Sequence, residues 1–322
     1  LKRRISEIGH GRLVGPNIER TLFADLAAMI ETNYKINKYR LGRLKQSLAH
    51  LKEFFGNAYA LDITYDRIEK FIETRLAQGA ANATINRDLS ALHRAFHLAE
   101  KAGKVDRAPI ISKLTEDNVR KGFFEVDNFR LHVSYMPEDL QPLFDTAYIM
   151  GWRILSELCT RQWTHLSFTE GTLRLNPGEA KNKEGRNFPL TPELREILEK
   201  QRARTDAIEC ATGQIIPWIF HRKGKPIRDF RKVWANACRK SGLIGRLPHD
   251  FRRTAVRNLE RAGVPRPTAK AMVGHKTDSI YERYAITDGV MLHEGAEKLS
   301  TLQRLFDAAA RQSKARRIVV PF

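Results

Sequence analysis

Cysteine is scarce in this chain, acidic residues are outnumbered, and no apolar run approaches the length of a membrane-spanning helix. The three cysteines, Cys159, Cys210 and Cys238, are odd in number and far apart. They form neither a disulfide framework nor a CxxC metal pair, and they point to a reducing compartment. A spanning helix needs about 20 consecutive apolar residues, and none is present. Lysine and arginine number 56 against 37 aspartates and glutamates, giving a formal charge of +19 and a pI near 10.0. That imbalance exceeds what solubility requires and calls for a polyanionic partner, nucleic acid first and an anionic membrane second. The basic residues are spread along the chain, not gathered beside one amphipathic segment, which weighs against the membrane. A P-loop, an HExxH pair and an acidic metal cluster are also missing, so no cofactor and no metal are expected.

What is present suffices for two folded domains: 322 residues, of which 42% are hydrophobic and 29% charged. Residues 1–18 are basic and carry Gly9, Gly11, Gly15 and Pro16, the makeup of a linker or stub from a preceding domain. The first residue is leucine, so a native start further upstream is expected. Helical periodicity then begins. Leu22, Leu26, Met29 and Ile30 mark a helix over 21–34, and Leu41, Leu44, Leu48, Leu51 and Phe55 mark a longer one over about 37–55. Ile68, Phe71, Ile72 and Leu76 give a third buried stripe. Asn82 is placed to cap a fourth helix carrying Ile85, Leu89, Leu92, Phe96 and Ala99. These four helices predict a small helical domain over 19–104. Its exposed basic residues, among them Lys38, Arg40, Arg43, Arg87 and Arg94, are candidate DNA contacts, although charge runs usually face water.

Residues 105–123, with Pro109 and no clear period, read as the interdomain linker. Helical patterns resume over 125–133 and 138–150. The runs Thr172–Leu175 and Asn187–Leu190 flank a polar loop with Pro177, Gly178 and Gly185, which predicts a β-hairpin with a basic tip bearing Lys181, Lys183 and Arg186, the last two further candidate DNA contacts. Helices are expected again over 192–205, 229–241, 248–262, 267–273, 277–285 and 288–312, followed by a basic and apolar tail at 314–322. Trp163, Trp218 and Trp234 read as core residues. The predicted class is mainly α: a helical domain, then a mixed, mostly helical domain with a small β-sheet.

The densest chemistry lies in the 247–285 stretch. His249 and Arg252 fall three apart on one helix face at its N-terminal end, where unpaired N–H groups favour an anion. Downstream, GHKTDSIYERY places His275 nine residues before Tyr284, with Tyr281 between them. Each signal alone is weak, since a histidine can pack or cap and a tyrosine can be core.

Taken in order, Arg153 in GWRILSEL, Lys181 in EAKNKEGRNFPL, HDFR at 249–252, GH at 274–275 and Tyr284 resemble the signature of the tyrosine recombinase (phage integrase) family. The resemblance runs from about Leu22 to Leu302, and the first domain resembles the family's SAM-like core-binding domain. It implies a catalytic domain over 124–313 with the DNA breaking-rejoining fold. It implies that Arg153 and Arg252 clamp the non-bridging oxygens of one phosphate, a task suited to the guanidinium fork. His275 would add a hydrogen bond, His249 would move the proton of the nucleophile, Lys181 would protonate the departing 5′ oxygen, and Tyr284 would attack to give a 3′-phosphotyrosyl link. Tyr284 stands at the family's interval from His275, whereas Tyr281 stands where an apolar residue is usual. One departure is visible: the family spacing R-x-S/G-E is one residue longer here, because Arg153 and Glu157 enclose three residues. Glu157 reads either as a buried partner of the arginine or as an ordinary surface carboxylate.

The resemblance further implies double-stranded DNA at specific sites as partner, a homotetramer working through a four-way junction, room for DNA-bending accessory proteins, an upstream arm-type domain joined by 1–18, and a cytoplasmic, nucleoid-associated location in a bacterium or phage host. Two alternatives stay open: a type IB topoisomerase-like strand rejoining, and a non-catalytic DNA-binding protein. The second would need basic residues but no ordered set ending in a tyrosine.

Overall fold

The computed structural model describes residues 18–116, 122–179, 184–285 and 289–318, with side chains from 19 to 311. The chain divides into two compact units, 1–119 and 120–322. Within the first, helices α1 (Phe23–Ile36), α2 (Leu41–Phe55), α3 (Tyr65–Ala77) and α4 (Asn82–Lys101) bury one stripe each. Leu26, Ile30, Leu48, Leu51, Phe71, Ile85, Leu89 and Phe96 meet in a single core. Fully burying one such side chain stabilises by roughly 1.5–3 kcal/mol.

Several sequence expectations shift here. The second helix begins at Leu41, not near Asn37, because the chain reverses through Lys38 in the left-handed region at φ 53°. Asn82 is the first helical residue, with Ala81 in the capping position. Its amide is used elsewhere, donating to the Thr115 carbonyl at 2.8 Å. Leu76, in the last turn of α3, stays 45% exposed. The stretch expected to be linker from 105 onward is held by the first unit: Val105 is buried, Ile111 and Leu114 pack on its core, and Asn86 brackets Leu114 by accepting from its N–H and donating to its carbonyl, both at 2.8 Å.

The second unit opens with α5 (Val126–Ser134) and α6 (Gln141–Met150). A π-helical turn follows over Ile154–Leu158. A three-stranded antiparallel sheet is built from β1 (Leu166–Ser167), β2 (Thr172–Leu175) and β3 (Arg186–Pro189), in the order β1-β2-β3. Leu173 pairs with Phe188 and Leu175 with Arg186, and Leu173, Leu175 and Phe188 point into the core. Then come α7 (Pro192–Thr212), a short hairpin β4 (His221–Arg222) and β5 (Lys225–Pro226), and α8 (Arg231–Lys240). The chain continues as α9 (Asp250–Arg261), α10 (Arg266–Val273), α11 (Asp278–Glu282) and a 30-residue α12 (Gly289–Ile318).

Phe144, Phe251 and Trp234 centre an aromatic cluster beneath α9. Trp234 is buried as predicted, Trp163 and Trp218 only half so, and the most buried tryptophan is Trp152 at 2% exposure. α12 leaves Val290, Leu292, Leu299, Leu302, Leu305 and Phe306 exposed. Among the described residues no helix is long and apolar enough to cross a membrane. Residues 1–17 and the end of the C-terminal tail, expected to be a basic stub and an apolar terminus, lie outside the described residues.

Candidate active site

Three chain segments converge on one spot of the second unit. The first is the turn after α6. Gly151 ends that helix with φ 64°, and a side chain there would run into Ala255 at 2.7 Å, so only glycine lets α6 approach α9 this closely. The next residues, Trp152 and Arg153, lead into the π-helical turn. Here the extra residue between Arg153 and Glu157 finds its place: an inserted residue widens one helical turn to the π form. The widened turn is marked by hydrogen bonds to the Arg153 carbonyl from the N–H groups of both Glu157 and Leu158, and to the Ile154 carbonyl from that of Cys159.

The π turn aims Glu157 back at its origin. Its carboxylate accepts from the Arg153 backbone N–H at 2.9 Å and from the Arg153 guanidinium. Glu157 is fully buried. Burial alone would raise its pKa, but the guanidinium of Arg186 and the N–H and charge of Arg153 bring it below the usual carboxylate range. The carboxylate is therefore ionised, and Arg153, one-third exposed, keeps the rest of its fork open. The same turn is tied to the sheet by Arg161, whose Nε donates to the Glu157 carbonyl at 2.8 Å and whose Nη1 pairs with Glu179 at 2.8 Å. Glu179 also accepts from the Asn176 N–H at 3.0 Å, which anchors one side of the hairpin loop. Lys181 and Lys183 lie outside the described residues.

The second segment is α9, with His249 as its N-cap and Arg252 one turn in. Arg252 is buried, and three of its five donors go to fixed acceptors: Nε to His275 Nε2 at 2.9 Å, Nη1 to the Gly151 carbonyl at 3.0 Å and Nη2 to the Gly274 carbonyl at 3.3 Å. Burial and then the neighbouring Arg153 lower its pKa to about 10, which leaves it charged at neutral pH.

The third segment runs from α10 to α11. Gly274 closes α10 at φ 73° and delivers His275 into the cluster. Burial and then Arg252 and Arg153 hold the His275 pKa down at about 3, so the ring is neutral. Because Nε2 accepts from Arg252, the proton sits on Nδ1, a buried donor with no partner among the described residues. An orphaned donor beside two guanidinium groups fits a bound anion. Tyr281 and Tyr284 then part company. Tyr281 is 1% exposed, and burial together with Glu260 raises its phenol above the usual range. Tyr284 is partly exposed, its ring tilted against His275 at 4.8 Å between centroids, and its hydroxyl lies 2.9 Å from His249 Nε2. Burial, then Arg252 and Arg153, keep His249 below its ordinary pKa. It is a neutral ring facing a phenol.

The candidate DNA contacts divide. Lys38, Arg40, Arg43 and Arg87 are exposed on the first unit. Arg94 is half-buried, donating to Asn33 at 2.8 Å and lying over the rings of Tyr34 and Tyr39, each 5.5 Å away. Arg186 is not a surface residue: its side chain is 7% exposed, ion-paired with Glu157 and stacked 4.7 Å from the Trp152 ring. The signal for this was in the strand period. Arg186 stands two residues before the apolar Phe188, hence on the same, inward face of β3. Arg253 also went unnoticed in the sequence; it donates to the Arg283 carbonyl at 3.0 Å and lies over the Tyr284 ring at 5.6 Å.

Comparison with known proteins follows the same order along the chain. The phage integrase N-terminal SAM-like domain matches residues 36–103, and the phage integrase family matches residues 114–288. The ICEBs1 integrase of Bacillus subtilis (strain 168) is 24% identical over 279 residues, covering 79% of this chain and 75% of that protein. In fold, the chain is similar to a lambda integrase dimer bound to a COC′ core site, with a TM-score of 0.63 and 19% identity over 82% of this chain and 78% of that one. It is similar also to the Tn1549 transposon integrase in complex with circular intermediate DNA, with a TM-score of 0.68 and 16% identity over 84% of this chain and 98% of that one. The match over 114–288 alone takes in more than half of the 322 residues, and the chain belongs to the phage integrase family, the tyrosine recombinases.

Proposed function

We propose that this chain is a site-specific recombinase that breaks and rejoins double-stranded DNA through Tyr284. The contact between the Tyr284 hydroxyl and a neutral His249, set beside Arg252, Arg153 and His275, carries this reading. A scissile phosphate fits where the open donors of Arg153 and the Nδ1–H of His275 converge, beside the buried charge of Arg252. As the Tyr284 oxygen attacks phosphorus, its proton passes to His249 Nε2, and the fixed cations stabilise the charge that grows on the non-bridging oxygens. One such donor is worth about 3 kcal/mol in comparable sites. The 3′-phosphotyrosyl bond forms as the bond to the 5′ oxygen breaks, and Lys181 supplies the proton to that oxygen. The phosphate bond energy is conserved in the tyrosyl ester, so the reverse attack by a 5′ hydroxyl needs no outside energy source.

Residues 19–104 and 124–313 are the core-binding and catalytic domains of this reading; of the 105–123 stretch between them, the part up to Leu114 packs on the first. The lambda integrase has been solved as a tetramer bound to a Holliday junction. We extend that assembly to this chain, where the exposed apolar side chains of α12 suit a contact between subunits. The site of action is the DNA of the bacterial or phage-host cytoplasm.

The test uses a nicked suicide duplex, chosen from a random-sequence library by its binding to the 322-residue chain. A covalent protein–DNA complex on a denaturing gel is expected. Binding without any covalent complex would leave a DNA-binding protein and end the enzymatic reading. Relaxation of supercoiled plasmid without exchange between two sites would favour the topoisomerase reading.

A further inference from the structure

Arg186 is a buried cation of the second unit, its side chain 7% exposed, and the phosphate clamp as described above does not use it. It reaches inward from β3 and shares one carboxylate with Arg153: Glu157 Oε1 takes the Arg153 guanidinium and Oε2 takes the Arg186 guanidinium. One face of the Arg186 plane lies over Trp152, 4.7 Å from the ring centre. Against it also lies the backbone of Gly274, where a methyl group would come within 2.6 Å of the guanidinium carbon. Trp152 in turn donates from Nε1 to the Met272 carbonyl at 2.9 Å. The guanidinium is thus wedged between the turn that bears Arg153 and the turn that bears His275. Burial lowers its pKa, and Glu157 acts to raise it again.

We propose that Arg186 is a positioning residue for strand cleavage: it locks Glu157, and through it Arg153, against the Gly274–His275 turn. This rests on the recombinase reading above. Three arginines cluster here, and Glu157 is the carboxylate that faces two of them. Without Arg186, Glu157 would turn wholly to Arg153 and draw its fork away from the phosphate, and Gly274 would lose the plane it packs on. A misplacement of about 1 Å at a reacting centre costs on the order of 10²-fold in rate. Lysine cannot replace this arrangement, because an ammonium has no plane to lie between Trp152 and Gly274 while it reaches the carboxylate.

The test measures single-turnover cleavage by the full chain on two suicide duplexes of the same sequence, one with the natural 5′ oxygen and one with a 5′-bridging sulfur, which departs without a proton. Arg186→Met is expected to slow both by on the order of 10²-fold, with duplex affinity unchanged, and Arg186→Lys to restore less than a tenth of the loss. In an E157Q background the same substitution should add little, because both act through one link. If the sulfur duplex cancels the Arg186→Met defect, Arg186 serves the leaving group through the hairpin and the proposal fails. Full additivity with E157Q, or full rescue by lysine, also overturns it. Should Arg186→Met fail to fold, the lysine variant carries the same comparison. Wild-type protein that cuts neither duplex sinks the recombinase reading instead.

Discussion

His249 Nε2 lies 2.9 Å from the hydroxyl of Tyr284, two groups 35 residues apart in the chain that meet because Tyr281 shares a small core with Val256 of α9 and Arg253 of α9 holds the Arg283 carbonyl. The contact is a proton path only if the ring is neutral and its Nε2 carries no hydrogen. Burial and then Arg252 and Arg153 satisfy the first condition by holding the histidine below its ordinary pKa of 6.5.

The pH dependence of cleavage follows from that direction. A base with a lowered pKa stays in its working form as pH falls through 6.5 and loses it only further down. Single-turnover cleavage should therefore hold level from pH 7.5 to below 6.5 and decline only in more acid buffer. An acid limb centred at or above 6.5 would mean that His249 is not the base. Replacing it by asparagine should slow cleavage by about 10²–10⁴-fold and remove that limb.

The two tyrosines predict opposite outcomes. Tyr284→Phe should bind the duplex and yield no covalent complex. Tyr281→Phe should still yield it, because that phenol is buried against Glu260 with its pKa raised, out of reach of a substrate. A covalent complex from Tyr284→Phe, read on a denaturing gel, would assign the nucleophile elsewhere.

Two glycines at helix ends separate strain from collision. Gly213 and Gly274 share nearly the same left-handed backbone, φ 66° and 73°, but open space surrounds the first and the Arg186 guanidinium abuts the second. Gly213→Ala should cost about 1 kcal/mol, seen as a small drop in the unfolding temperature. Gly274→Ala should cost more and should also abolish cleavage, because it pushes Arg186 and His275 out of place.

His132 makes the second unit acid-sensitive. It is fully buried among Phe124 and Trp234, and burial lowers its pKa from 6.5 to about 4. Between those values the unfolded chain binds a proton that the folded chain does not, so stability falls as pH drops from 6.5 toward 4. The loss is roughly 3 kcal/mol at the acid end. Thermal unfolding over that range should show the decline, and His132→Leu should flatten it.

On the first unit, Arg43 and Arg87 line a polar cleft between α2 and α4. If they meet DNA phosphates, changing either to glutamine should weaken binding to all sequences alike and reduce the slope of log affinity against log salt by about 1. An unchanged slope would move the DNA-facing surface away from this cleft.

Much of the molecule was legible in one dimension because its signals are local. Helical stripes such as Leu44, Leu48 and Leu51 declare their burial by spacing alone, since the period of 3.6 residues is a property of the backbone. Net charge announced a polyanionic partner for the same reason: it sums over residues regardless of where they fold. The ordered arginine, lysine, histidine and tyrosine types told which chemistry the chain carries. Boundaries were less secure, as at Asn82 and Leu41, where the choice between cap and first turn depended on contacts with Thr115 and on a reversal at Lys38.

Only tertiary structure decided what each cation does. Arg186 and Lys38 are equally basic in sequence, yet one is sealed between Trp152 and Gly274 and the other faces water. Likewise Glu157 became a fully buried bridge because a π turn absorbed one extra residue and a strand 29 residues away supplied the second guanidinium. The sequence by itself determined the helical class, the excess of positive charge and the residue types of the site. Their protonation and division of labour required the fold, because burial and a neighbour's charge set pKa and orientation, and neighbours distant in sequence are chosen by packing.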